Sequence, residues 1–163
     1  MKVFIIAALT ADGFIARDSS QSPFTWTSKE DKKRFVELTK RAGVVVMGSE
    51  TFKTFPQPLK ERVNIVYSRS QSFKGAEMTQ DEPRVLLQKL AERGFAEVAI
   101  CGGGQIYTLF MKAGVVTTLY MTVEPTLFGQ GLSLFNQEIS QSLRLVNKET
   151  TATGTIFLEY EVV

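Results

Sequence analysis

Apolar residues in this chain come in short dense runs, separated by segments with helical spacing. KVFIIAAL (2–9) is apolar at nearly every position, as in a strand covered on both faces rather than half in water. GVVVMG (43–48) and Val98–Cys101 repeat the pattern. RVNIVY (62–67) predicts a further strand, residues 75–78 a brief one, and the β-branched VVTTLYMTV (115–123) another. Helices are predicted between them. Ser28 stands three residues before Asp31 as in a capping box, and the helix it opens runs to about Arg41 with Phe35 and Leu38 on its apolar face. SETFKTF (49–55) predicts a short helix stopped by Pro56 and Pro58. Pro83 opens a helix carrying Val85, Leu86, Leu87 and Leu90, which Gly94 ends. Gln105 opens another through Ile106, Leu109 and Phe110, closed by Gly114. The tail alternates over 142–150 and 155–163, an antiparallel hairpin joined across Thr151–Gly154. Residues 10–27 are rich in turn formers and long for a simple connection, as functional lids are.

Strands alternating with helices predict an α/β fold: a mostly parallel central sheet, flanking helices and an antiparallel C-terminal hairpin, in one domain over 1–163. Ligands in such sheets lie beyond the carboxyl ends of the strands. Gly48, Ser68 and Gly102 fall at those ends, as do the 10–27 segment and Trp26. VAICGGGQIY (98–107) has the composition of an anion site, because glycines admit a phosphate to bare backbone and the following helix supplies free N–H groups. A tight turn without a ligand explains the glycines equally well. The run is neither the GxGxxG fingerprint nor a P-loop.

Composition narrows the chemistry. The chain has 163 residues, and 19 Lys and Arg against 17 Asp and Glu leave a net charge of +2. That balance argues for no nucleic acid and no membrane surface. No apolar run reaches membrane-spanning length. The opening apolar run reads as a buried strand rather than a secretion signal, so the expected location is cytoplasmic. There is no histidine, which excludes Ser-His-Asp and Cys-His nucleophiles. Cys101 is the single cysteine, so no internal disulfide forms and no metal is expected. Proton chemistry falls to a carboxylate, Tyr, Lys, water or a cofactor. Hydride transfer suits so short a list, because the cofactor carries the difficult step.

In order along the chain, IIAALTADGFI, TWTSKEDKKRFVELT, VVMGSETF, PLKERVNIVYSRS, CGGGQIY and LYMT resemble the dihydrofolate reductase superfamily over nearly the whole length. TVEPTLFGQGLSLF (122–135) is closer to the riboflavin-biosynthesis reductase branch. The resemblance implies a dihydrofolate reductase-like fold, NADPH as cofactor and a small-molecule pterin or pyrimidine substrate, in a monomer or homodimer.

It also assigns roles. Asp31 becomes the acid that holds the pterin; spacing alone allows a helix-capping acid equally. Trp26 positions a water near it, or is a core aromatic. Thr122 becomes the partner of Asp31, or an ordinary strand threonine. Ile6, Ala7, Phe35, Phe55, Leu59 and Cys101 line the substrate pocket. Arg62 grips a substrate carboxylate, or is an exposed strand-entry arginine. Ala8, Ile15, Gly48, Ser49, Glu50 and Thr51 face the cofactor. So do Ser68, Arg69 and Ser70, together with Gly102, Gly103, Gly104, Gln105 and Ile106, while Tyr107 sits near the nicotinamide. Lys32 and Ser49 depart from the pattern, the latter where a basic residue ordinarily meets the 2′-phosphate; Arg69 can supply that charge. The implied reaction is reduction of dihydrofolate. Two alternatives stand beside it: a stand-alone reductase of 5-amino-6-(5-phosphoribosylamino)uracil, and a non-catalytic NADPH-binding module.

Overall fold

A computed structural model describes residues 1–163. The first strand, β1 (Lys2–Thr10), is the middle of the molecule. It pairs in parallel with β6 (Glu97–Gly102) on one side and β7 (Thr118–Glu124) on the other. Outward from β6 come β3 (Val44–Gly48), β4 (Val63–Tyr67) and β5 (Glu77–Thr79), all parallel. Outward from β7 come β10 (Ile156–Val162) and β9 (Leu143–Thr150), both joined by antiparallel ladders. The eight-stranded order is β5-β4-β3-β6-β1-β7-β10-β9. The parallel sheet and the closing hairpin are thus as the apolar pattern predicts.

Alternation along β1 sorts the core into two layers. Val3, Ile5 and Ala7 face one way with Val44, Val46 and Ile100, under α3 (Pro83–Glu92) and α4 (Gly104–Lys112). Phe4 and Ile6 face the other with Val45, Met47 and Cys101, under α1 (Lys29–Ala42) and α2 (Ser49–Lys53). Both faces are covered, which is why the central strands read as continuous apolar runs.

α1 starts at Ser28, whose hydroxyl accepts the Asp31 N–H at 3.1 Å. Glu30 and Asp31 lie in its first turn and Lys40 and Arg41 in its last, each end complementing the helix dipole. Gly43 ends it with φ of 74°, a left-handed conformation that a Cβ would disfavour. The capping box is half built. The Ser28 N–H goes to Glu124 at 2.9 Å, so the Asp31 carboxyl is left free to face elsewhere.

The sequence reading differs from the structure at three places. The 10–27 segment is not all loop: it holds β2 (Phe14–Ala16) and a 3₁₀ turn over Pro23–Thr25. β2 pairs with a two-residue strand, β8 (Leu132–Ser133), in a separate small sheet. β7 begins at Thr118 rather than Val115, and the brief strand expected over 75–78 is shifted to 77–79. These short strands carry too little local signal to be read alone; their partners define them.

Candidate active site

The carboxyl ends of β1, β3 and β6 open into one large cleft of about 1340 Å³. Ile6, Ala7 and Ala8 reach it from β1, Gly48 from β3 and Cys101 and Gly102 from β6. The β2–β8 strap closes its mouth, with Ile15, Gly131 and Ser133 on the cleft side. The strap is anchored by Asp12, whose carboxylate accepts the Gly129 N–H at 2.7 Å and the Phe128 N–H at 3.2 Å. A Cβ on Gly131 would overlap the Ala16 carbonyl oxygen, so only glycine lets the strap pack this tightly.

One end of the cleft is apolar and aromatic. Phe35 from α1 stacks on Phe55, with ring planes 21° apart, and Phe24 meets both edge-on. Asp31 projects into this end, one helical turn from Phe35. Burial pushes its carboxyl above the ordinary carboxylate range, and the Glu124 charge adds to that. The Thr122 and Thr27 hydroxyls and the Arg34 guanidinium pull the other way. Thr27 Oγ1 is buried with no hydrogen-bond partner, so it acts on Asp31 through proximity rather than a formed bond.

The other part is built of backbone. Gly48, Gly102, Gly103 and Gly104 line it with no side chain between cleft and main chain. A Cβ on Gly103 would meet Thr51 Oγ1 at 3.3 Å, and one on Gly102 would meet the Tyr107 hydroxyl at 3.0 Å. α4 starts here, and no side chain caps its N-terminus, which leaves its first N–H groups to a ligand. A bare-backbone trough ending at an uncapped helix N-terminus suits a dinucleotide diphosphate. Ser49, Glu50, Thr51, Ser68, Arg69 and Ser70 extend the trough, as do Gln105 and Ile106. The Tyr107 hydroxyl donates to the Ile6 carbonyl at 2.8 Å. It ties α4 to β1 just past the last β1–β6 pair, Ile5 with Ile100. Burial pushes Tyr107 well above the ordinary phenol range, and does the same to the Cys101 thiol. Cys101 is therefore an inert wall.

Asp31 and the apolar and glycine-rich positions expected at the site thus meet in one cleft; four other expected residues do not line it. Thr122 is buried behind Asp31. Trp26 turns outward onto Phe128, centroids 5.1 Å apart, with Arg17 on that phenylalanine at 4.2 Å. Leu59 packs beside the aromatic layer. Arg62 bonds the Thr39 hydroxyl and the Lys60 carbonyl, each at 2.8 Å. Sequence reasoning missed Phe24, the Gly131–Ser133 rim and Glu124. For Glu124 a signal existed: Tyr120, Thr122 and Glu124 alternate on the inward phase of one strand, and Glu124 is only 3% exposed.

The site therefore joins an apolar, aromatic end that carries the Asp31 carboxyl to a backbone trough at the carboxyl ends of a parallel sheet. The family model for dihydrofolate reductase matches residues 2–155, and the chain belongs to that family. The type 3 dihydrofolate reductase of Salmonella typhimurium is 30% identical over 146 residues, covering 87% of this chain and 87% of that protein. Among solved structures, a Shewanella sp. PV-4 protein assigned to riboflavin biosynthesis superposes with TM-score 0.84 at 22% identity, covering 100% of this chain and 99% of its own. The deaminase/5-amino-6-(5-phosphoribosylamino)uracil reductase of Thermotoga maritima superposes with TM-score 0.80 at 16% identity, over 99% of this chain and 56% of that one. Likeness at these identities establishes the shared fold.

Proposed function

We propose that this chain is an NADPH-dependent reductase of a small molecule built on an aminopyrimidine ring, with dihydrofolate as one candidate substrate. One observation carries this reading: a half-buried carboxyl, Asp31, on an aromatic floor beside a glycine trough. An ionised carboxylate accepts two hydrogen bonds side by side. The pterin edge of dihydrofolate offers two adjacent donors, its 2-amino group and a ring N–H. The substituted uracil offers a comparable pair, its ring N1–H and the adjacent 6-amino N–H, so both rings match the carboxylate. Phe35 and Phe55 hold the ring flat and exclude water, which favours a near-attack geometry.

NADPH bound along Gly48 and Gly102–Gly104 would supply the hydride. Ser68, Arg69 and Ser70 would hold its 2′-phosphate, since Ser49 carries no charge. Asp31 orients and polarises the ring and forms no covalent bond. We place the reaction in the cytoplasm.

A second reading, reduction of 5-amino-6-(5-phosphoribosylamino)uracil, has specific support. Residues 122–135 carry the riboflavin-branch pattern and build the β8 strap. Architectural likeness to riboflavin-type reductases extends over the whole chain, and on that ground this substrate is the better supported of the two. Arg62, the cation expected for a folate carboxylate, is engaged by Thr39 and Lys60 and does not line the cleft. The deciding experiment follows loss of NADPH absorbance with each substrate, for wild type and Asp31→Asn. Turnover of dihydrofolate that collapses in the variant supports the first reading. Turnover of the uracil alone replaces the substrate and keeps the reductase. NADPH binding without either turnover would leave a non-catalytic binding module.

A further inference from the structure

We propose that Glu124 is a positioning residue for this site: a buried carboxylate, joined through Ser28 to the backbone of Asp31, that sets the charge environment of the Asp31 carboxyl. Glu124 ends β7 on the same inward phase as Thr122. Three donors converge on it from two other segments. Ser28 gives its N–H at 2.9 Å and its hydroxyl at 2.7 Å to one oxygen; Thr155 gives its hydroxyl at 2.7 Å to the other. Acceptor-only bonding of this kind is what a carboxylate requires. None of the ion pairs of the chain includes Glu124. A buried, uncompensated carboxylate makes any second negative charge nearby harder to form.

The second charge would be on Asp31. The Ser28 hydroxyl that donates to Glu124 also accepts the Asp31 N–H at 3.1 Å, so one hydroxyl bridges the two residues. Thr27, adjacent in sequence, is 8% exposed and its hydroxyl has no hydrogen-bond partner. It lines both the approach to Asp31 and a polar cavity of about 270 Å³ shared with Glu124, Trp26 and Thr155. The Trp26 Nε1 is a second unpartnered donor there. Polar groups of this region are thus arranged around a pair of acids, not around one.

The other charged and titratable groups do not cancel the effect. On α1 itself, Arg34 opposes it, but Arg34 also answers to Glu149, Glu159 and Tyr120 and lies over the Phe157 ring at 4.5 Å. From α4, Tyr107 faces Asp31 as a neutral phenol. From β7 there is Glu124 alone. The 153–155 turn gives Glu124 only hydroxyls. Conversion of a dihydro ring to its tetrahydro form takes up one hydride and one proton. An Asp31 carboxyl whose proton affinity is raised brings a proton, or the hydrogen bond replacing it, up to the ring.

This inference rests on the reading that Asp31 meets the substrate, but its test does not need turnover. The carboxyl ¹³C signal of Asp31 is followed against pH in the ligand-free wild type, Glu124→Gln and Glu124→Asp. In Glu124→Gln the Asp31 midpoint falls by about half a pH unit to one unit, a roughly three- to tenfold loss of proton affinity. Glu124→Asp keeps the charge and leaves the Asp31 midpoint near that of wild type, which keeps the test alive if Glu124→Gln fails to fold. An Asp31 midpoint unchanged in Glu124→Gln overturns the proposal, as does one that falls by about half a unit or more in Glu124→Asp. If neither candidate substrate turns over while the midpoint shifts in Glu124→Gln, the substrate reading fails and the coupling stands. If turnover exists, the alkaline limb of kcat/KM moves down with the Asp31 midpoint in Glu124→Gln; a limb that stays put overturns the link to catalysis.

Discussion

Tyr107→Phe removes one oxygen atom at the seam between cofactor trough and core, and its cost follows from the hydrogen bonding of β1. The β1–β6 ladder ends at Ile5 with Ile100, because β6 then turns away into Gly102, whose φ is 113°. The Ile6 carbonyl, next in line, is met by the Tyr107 hydroxyl at 2.8 Å, and Tyr107 is only 4% exposed. Deleting the donor leaves a carbonyl unpaired, which costs about 1–3 kcal/mol. Ile6 lines the cleft, so water can partly replace the phenol, which puts the expected loss in the lower half, about 1–2 kcal/mol. At about 2–4 °C per kcal/mol for a chain of this size, Tm falls by about 2–8 °C. Urea unfolding followed by circular dichroism should give a lower midpoint with an unchanged slope. Burial pushes the phenol well above its ordinary value of 10.0. It is a neutral donor in the folded state, and below 10 it is neutral in the unfolded state as well. No protonation difference opens between pH 6 and 9, so the loss is the same at both. Equal midpoints for the two proteins would refute the argument and mean that the Ile6 carbonyl is satisfied by another donor.

Three further outcomes are expected. Asp31→Asn stabilises the fold at neutral pH: the folded carboxyl titrates above its ordinary value of 3.8, so ionisation weakens the native state as pH rises from there through the raised folded value. Thermal melts should show that gain at pH 7 and its disappearance below about pH 3.8; equal Tm at pH 7 would contradict the burial argument. Arg69→Ala should raise KM for NADPH by roughly tenfold and leave NADH nearly unchanged, because a charge-assisted phosphate contact is worth about 1.5–3 kcal/mol and the exposed Arg69 falls at the lower end. Parallel loss with both cofactors would remove Arg69 from the 2′-phosphate. Phe110→Ala empties a fully buried position packed edge-on to Tyr67, with centroids 6.1 Å apart, and should cost about 3–5 kcal/mol in urea unfolding.

Much of this architecture is visible in the amino-acid order because burial on two faces leaves a local mark. A strand covered by helices above and below must be apolar at odd and even positions alike, so Lys2–Leu9, Val44–Met47 and Val98–Cys101 declare themselves without reference to any partner. A glycine run between such a strand and a helix likewise marks where backbone is exposed to a ligand. Helix boundaries follow from caps within a few residues of one another, as at Ser28 and Gly43. What local order does not contain is which distant segment meets which. β2 and β8 are three and two residues long, and become strands only because each finds the other across the cleft mouth. Trp26 left the pocket for Phe128 because the strap brings that ring to it. Ser28 took Glu124 as its partner across 96 residues, which freed the Asp31 carboxyl from its cap and turned it toward the aromatic floor. Period and capping are set by neighbours in the chain and are therefore written in the sequence. The pairing of two acids, and the direction in which each points, is decided only when the sheet closes and brings three separate segments to one place.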